Sequence, residues 1–145
     1  MAGALDKLKV VDLTRTLAGP FCTMLMGDMG AEVVKIEEPT GGDETRKWTP
    51  FVNGESTQFL TFNRNKRSLS VNLKEPEGLK IVKDMAADAD VFIESFRAGT
   101  LERLGLGYEE IKKTNPGIVY CSISGYGRSG PMANMPGYDL LIQAY

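Results

Sequence analysis

The sequence predicts an open α/β sheet whose strands run mostly parallel. Short β-rich apolar runs alternate with helical stretches along the chain, and the links between successive runs are long enough for crossovers. The segments richest in Gly, Arg and Asp follow the strands, which is where such sheets bind ligands.

The apolar run Leu8–Leu13 (LKVVDL) opens the pattern as the first strand. "PFCTMLMGDMG" reads as a helix with Pro20 at its first position, where a missing N–H costs nothing, and with Gly30 past its end. Ala31–Glu37 (AEVVKIE) is the second strand, and the resulting strand, helix, strand unit predicts a parallel pair with a right-handed crossover. "RSLSVNL" is the next strand, "PEGLKIVKDMAADA" a helix opened by Pro76, and "DVFIES" a further strand. "YEEIKKTNP" is a shorter helix closed by Pro116, and "GIVYCSISG" is the last strand. Leu140, Leu141, Ala144 and Tyr145 recur at the spacing of a helix's apolar face, so the sequence stops inside an element that is still packing. No internal repeat or low-complexity tract interrupts the series.

The chain has 145 residues, 42% hydrophobic and 25% charged, which suits one domain with a sizeable core. Its 17 basic and 19 acidic residues are interleaved, leaving neither a basic stripe for nucleic acid nor a polybasic patch for a membrane surface. An anionic ligand must therefore be held locally. Met1–Lys9 is too polar and too mixed in charge for a signal or transit peptide, so a cytoplasmic location is expected. With no histidine and only Cys22 and Cys121, the usual zinc ligands and any Ser-His or Cys-His couple are missing. No metal is expected, and both cysteines read as small buried hydrophobes.

The loops after the strands hold the candidate chemistry. "TRTLAGP" ends in Gly19-Pro20, a tight turn into a helix that is either plain or a site for a ligand on free N–H groups. It lacks the Gly-x-Gly-x-x-Gly fingerprint, which argues against an NAD enzyme. In "GGDETR", Asp43 and Arg46 either hold each other in register or leave Arg46 for a phosphate or carboxylate. Arg64, Lys66 and Arg67 in "NRNKRS" are either a solvated face or a diphosphate clamp. Lys74, Arg97 and Arg103 follow later strands, where a sheet-end ligand would lie.

Taken together, "VVDLTRTLAGPFCTMLMGDMGAEVVKIE", "GGDETR", "NRNKRSLSVNLKEPEG", "ADVFIESFRAGTLERLG", "NPGIVYCSISGYGRSGP" and "PGYDLLIQAY" resemble the class III CoA-transferases. This is the CaiB/BaiF group, which includes formyl-CoA transferase and, more distantly, α-methylacyl-CoA racemase. The resemblance implies a Rossmann-like sheet with helices on both faces. Residues 1–145 would form the N-terminal, CoA-binding portion of the family's large domain. It also implies an interlocked homodimer, with an acyl-CoA and a carboxylic acid as the small-molecule partners.

By position, the CoA contacts implied are Leu17, Ala18, Val71, Asn72, Leu73, Lys74, Ser95, Phe96, Arg97 and Arg103. The aspartate that carries the covalent acyl and CoA adducts would lie past Tyr145, with Asp139 in a supporting role at most. Three positions depart from relatives in the group. Leu17 replaces a glutamine of the oxalate enzymes and cannot supply its hydrogen bonds, and Glu38 replaces an arginine that meets the nucleotide. Tyr138 stands where the racemases carry a histidine, and a phenol with a reference pKa near 10 is a poor base at neutral pH. The expected activity is CoA transfer between carboxylic acids; the alternatives are an acyl-CoA racemase or isomerase, or a non-catalytic CoA- or nucleotide-binding module.

Overall fold

A computed structural model describes residues 3–145. In chain order the elements are β1 (Lys9–Leu13), α1 (Ala18–Asp28), β2 (Glu32–Glu37), a 3-10 turn (Glu44–Lys47), β3 (Phe51–Val52), β4 (Glu55–Ser56), α2 (Thr57–Asn63) and β5 (Lys66–Ser70). They continue with α3 (Pro76–Ala87), β6 (Val91–Glu94), α4 (Thr100–Arg103), α5 (Tyr108–Thr114), β7 (Val119–Ser122) and α6 (Asp139–Ala144). Five strands form one sheet in the order β5-β2-β1-β6-β7, and every neighbouring pair in it is parallel. The expected α/β sheet is therefore the one observed.

Side-chain alternation divides the sheet into two faces. Val10, Val33, Val91 and Ile93 pack on one side, against Met26 of α1. On the other side Val11, Leu13, Ile36 and Phe92 pack against Val82 and Ala86 of α3, Leu101 of α4 and Ile111 of α5. Val82 and Phe92 are wholly buried, and Phe92 stacks on Tyr120 of β7 with centroids 5.2 Å apart. Helices thus cover both faces, α1 on one and α3 to α5 on the other.

Toward the carboxyl ends of the strands the α1 face changes character. Asp12, Lys35, Glu37, Lys66 and Ser68 share the alternation of Val10 and Val33, so a polar layer continues the apolar one. The registers Asp12↔Lys35 and Lys35↔Ser68 set these side chains abreast.

Several expectations are corrected. α1 starts at Ala18, so Pro20 falls inside the first turn, where its absent N–H still lacks a helical acceptor. The stretch between β2 and β5 contains the β3–β4 hairpin and α2, turned at Asn53 and Gly54, both with positive φ (52° and 83°). The loop after β6 contains α4, entered through Gly99 at φ 78°. Cys22 and Cys121 are exposed free thiols because α1 turns Cys22 outward and β7 is an edge strand. Among the described residues, no helix is long and apolar enough to cross a membrane.

Candidate functional site

The carboxyl ends of β1, β2, β5 and β6 open into a groove of about 930 Å³. Leu13, Ile36, Val71, Leu73, Phe96 and Leu104 give it apolar walls, while Arg15, Lys47, Lys74 and Arg103 contribute cationic side chains. Among the described residues, none of these four cations has a carboxylate within ion-pair distance. Glu38 and Glu44 also line the groove, on the β2 side.

The β5–α3 loop is shaped by the backbone. The Val71 amide donates to Glu37 O (2.8 Å), carrying the β2–β5 ladder one step further, and Asn72 Oδ1 accepts the Lys74 amide (3.0 Å) as an Asx turn. A Cβ on Gly78 would lie 2.1 Å from Asn72 O, so only glycine lets the first turn of α3 sit this close to the loop.

After β6 the buried Glu94 carboxylate organises the next wall. It accepts the Phe96 amide (2.7 Å), the Ser122 hydroxyl and the Arg128 guanidinium (2.8 Å); Arg128 also pairs with Glu102. Ser95 Oγ accepts the Arg15 amide (3.0 Å), linking the β6 and β1 loops, and the Arg15 guanidinium lies 4.9 Å from the Phe96 ring centroid. The loop from β7 to α6 is pinched at its base by Gly125 and Gly137, where a Cβ on either would come within 2.4 Å of the other's Cα. Tyr138 then reaches the groove.

The wall after β2 is clamped from below by two carboxylates. Glu37 accepts both Arg46 Nε (2.7 Å) and Nη2 (2.6 Å), the Ser68 hydroxyl (2.6 Å) and the Asp43 amide (2.8 Å). Burial pushes the Glu37 carboxyl up, but these donors outweigh it and hold the pKa at about 2. Asp43 pairs with Lys35 at 2.9 Å, with side chains 0% and 1% exposed respectively, and accepts the Thr45 amide (3.0 Å) and hydroxyl (2.8 Å). Burial raises the Asp43 carboxyl too, and the Lys35 charge and hydrogen bond more than reverse that, leaving it below the usual range.

These pairings correct two expectations. Asp43 and Arg46 are in register through the backbone, the Arg46 amide donating to the Asp43 carbonyl (3.0 Å), but their side chains do not pair, and Arg46 does not face the groove: its guanidinium is taken by Glu37 and laid over Phe59 at 3.7 Å. The NRNKRS cations form no clamp, because each has its own carboxylate: Arg64 meets Asp28 (2.5 Å), Lys66 meets Asp12 (3.2 Å) and Arg67 meets Glu32 (3.5 Å). Burial drives Lys66 down to about 8 against the pull of Asp12.

Of the residues expected at the site, Val71, Asn72, Leu73, Lys74, Phe96 and Arg103 line the groove together. Leu17 and Ala18 are exposed at the start of α1, Ser95 is turned to the Arg15 amide, and Arg97 is exposed outside the lining. Asp139 lies in the first turn of α6, outside the lining, and accepts Gln143 Nε2 (2.7 Å). Arg15 and Lys47 line the groove as well, although neither was expected there. Arg15 sits in the TRTLAGP loop, where its place after a strand was the available signal.

An apolar-walled groove with unpaired cations at the carboxyl edge of a parallel sheet defines a lobe for an anionic, partly apolar ligand of nucleotide size. The chain matches CoA-transferase family III over residues 5–145 and belongs to that family. It is 56% identical over 141 residues to the succinyl-CoA:glutarate CoA-transferase of Mus musculus, covering 97% of this chain and 32% of the relative. It is 46% identical to the acetyl-CoA:oxalate CoA-transferase of Acetobacter aceti, covering 98% and 36%. A crystal structure of a CaiB/BaiF family protein from Brucella suis superposes with a TM-score of 0.94 at 44% identity, over 99% of this chain and 39% of that one. The chain therefore spans about a third of the length of the curated relatives it matches.

Proposed function

We propose that residues 1–145 are the N-terminal, CoA-binding lobe of an enzyme that transfers CoA between carboxylic acids. The observation that carries this reading is the groove, where Arg15, Lys47, Lys74 and Arg103 stand around apolar walls with no carboxylate at ion-pair distance among the described residues. Phosphates require such cations, and the pantetheine chain suits the apolar walls. The proposed CoA contacts are Val71 to Lys74, Phe96 and Arg103, flanked by Leu17, Ala18, Ser95 and Arg97. The covalent steps belong to an aspartate outside these residues: its carboxylate attacks the acyl-CoA and expels the CoA thiolate, leaving a mixed anhydride, and the thiolate attacks the aspartyl carbonyl, expelling the donor acid and leaving an aspartyl thioester. The acceptor carboxylate then displaces the thiolate to form a second anhydride, and thiolate attack on its acceptor carbonyl releases the new acyl-CoA and the free aspartate. Asp139 serves at most as support. Tyr138 favours transfer over racemisation, since it lines the groove as a phenol where a proton shuttle needs a base.

Succinyl-CoA and glutarate are the proposed donor and acceptor, supported by the names of the mouse and human relatives at 56% and 54% identity. Leu17 weighs against oxalate, because its side chain offers no hydrogen bond. An interlocked homodimer is supported by the exposed apolar stripe formed by Phe21 and Leu25 of α1 with its cap residues Leu17 and Met29.

The test is mass spectrometry of the full-length protein with succinyl-, glutaryl-, acetyl- and oxalyl-CoA. A CoA adduct on a carboxylate, with CoA exchange between succinate and glutarate, is expected; no adduct with any thioester overturns the reading. Lys74→Ala and Arg103→Ala should each weaken CoA binding by about 1.5–3 kcal/mol in calorimetry, with the loss shrinking as salt rises.

A further inference from the structure

We propose that Arg15 and Phe96 form a stacking platform for the planar base at the nucleotide end of the ligand, with Glu38 beside it selecting a base that carries an amino group. The inference rests on the reading of the groove as a CoA site and assigns which residues recognise the base.

The first observation is the Arg15–Phe96 pair. The guanidinium carbon lies over the ring, 4.9 Å from its centroid, both residues line the groove, and Arg15 is exposed with no carboxylate partner among the described residues. A guanidinium is flat and weakly hydrated, so a ring on one side leaves its other side to stack on a second π-system. An arginine meant only to attract phosphate gains nothing from being laid on a ring.

The second observation is backbone strain next to Arg15. Thr16 has φ 70°, a left-handed conformation that is costly for a β-branched residue and persists only where its surroundings enforce it. Here they do. The Thr16 amide donates to the buried Asp43 carboxylate (3.3 Å), its hydroxyl donates to Glu44 (2.7 Å), and the Arg15 amide is tied to Ser95 (3.0 Å). Just before it, the Thr14 carbonyl accepts the buried Lys35 ammonium (2.8 Å). Arg15 therefore leaves a backbone fixed on both sides, which sets where its side chain starts, and the Phe96 ring beneath the guanidinium limits where it ends. Ser95 acts here as a positioning residue.

Glu38 supplies the discrimination. One carboxylate oxygen takes the Thr40 hydroxyl, and the carboxyl is held below its usual range by that hydrogen bond and by the nearby charges of Arg15 and Lys47. It lines the groove as an acceptor with no proton to give. It can accept from the exocyclic amine of adenine, whereas the carbonyl of hypoxanthine would face it acceptor to acceptor. A phosphate beside it would be repelled, which leaves Lys74 and Arg103 for the anionic groups.

The experiment uses the full-length protein and calorimetry with three ligands: CoA, deamino-CoA in which hypoxanthine replaces adenine, and 4′-phosphopantetheine, which lacks the base. Arg15→Lys keeps the charge and removes the plane, and Phe96→Leu removes the ring. Each should weaken CoA binding about tenfold, the scale of one stacked base, and weaken 4′-phosphopantetheine, which keeps only the apolar contact with the wall, by much less. The parent should prefer CoA to deamino-CoA, and Glu38→Gln, which can both donate and accept, should erase that preference. If Arg15→Lys and Phe96→Leu both bind CoA like the parent, the platform is overturned while the CoA reading stands. Equal affinity of the parent for CoA and deamino-CoA overturns the role of Glu38. A parent that binds no CoA overturns the reading of the groove, and the platform with it.

Discussion

Replacing Lys35 by methionine probes the clamp beneath the groove. The substitution keeps the length of the side chain and removes its ammonium from a position 1% exposed, leaving the Asp43 carboxylate at 0% exposure without its counter-ion. Removing one partner of a buried pair costs about 3–5 kcal/mol, because the remaining charge is stranded. The Thr14 carbonyl also loses its donor, a cost of about 1–3 kcal/mol that overlaps the first. Thr45 and Thr16 still donate to Asp43, so a loss of about 3–5 kcal/mol at neutral pH is the expectation.

The sign with pH follows from the carboxyl. In the parent, Lys35 keeps Asp43 below its usual range, so this contribution is complete above about pH 4 and fades as the carboxyl protonates in the folded state. In Lys35→Met only the Thr45 and Thr16 donors still oppose burial, so Asp43 rises relative to the parent and the variant's deficit should narrow on acidification. The assay is urea unfolding followed by circular dichroism at about pH 7 and about pH 5, with Asp43→Asn and the double variant completing a cycle. Asparagine keeps an oxygen for the Thr45 amide, so the double variant should be more stable than Lys35→Met alone. A loss below about 1 kcal/mol for Lys35→Met, or a double variant that loses the sum of the singles, would refute a buried, charged pair.

Three further outcomes are expected from the same layer and its neighbours. Glu37, at about 2 in the folded protein, is depressed relative to the unfolded chain, so its contribution is present above about pH 4.3 and lost toward about pH 2; Glu37→Gln should flatten acid melting curves in that window. Lys66 has the opposite sense: with its folded value lowered to about 8, the unfolded chain binds the extra proton between there and about pH 10.4. Stability from this group should therefore rise with pH across that interval, and Lys66→Met should remove the rise in urea titrations. Gly78→Ala places a methyl 2.1 Å from the Asn72 carbonyl and should cost about 1–3 kcal/mol in urea unfolding, and it should weaken CoA binding to the full-length protein as the Asn72–Lys74 turn is displaced.

The main strands and α3 were legible because their periodicity is strong: EVVKIE and VFIE are apolar enough to demand burial, and Pro76 marks a helix start. The β3–β4 hairpin was missed because each strand has two residues, too few for alternation to register, although Asn53-Gly54 carried the turn signal. α2 was missed because Thr57, Gln58, Thr61 and Asn63 dilute its apolar face. Lys35 looks like the solvent side of a half-exposed strand in sequence, and its burial depends on Asp43, which only the fold brings near. Arg46 likewise resembled a ligand-binding cation until the fold set Glu37 beneath it. Residue type misled for Cys22 and Cys121, whose exposure is fixed by position on a helix and an edge strand. Val71 to Lys74, Phe96 and Arg103 came from motif position, whereas Arg15 needed the Phe96 ring to reveal it.

The glycine contact at the base of the β7–α6 loop makes the position of α6 independent of that loop's length. Gly125 and Gly137 already touch, so residues 126–136 form a bight whose two ends meet regardless of the residues between them. Doubling such a segment adds only about 0.6 kcal/mol of closure entropy. Arg128 anchors the near part of the bight to Glu94 and Glu102, which leaves the span from Gly130 to Met135 as the portion free to vary. A reporter peptide or a fluorophore-bearing residue spliced there would ride on the bight and leave Tyr138, and with it that wall of the groove, where it is.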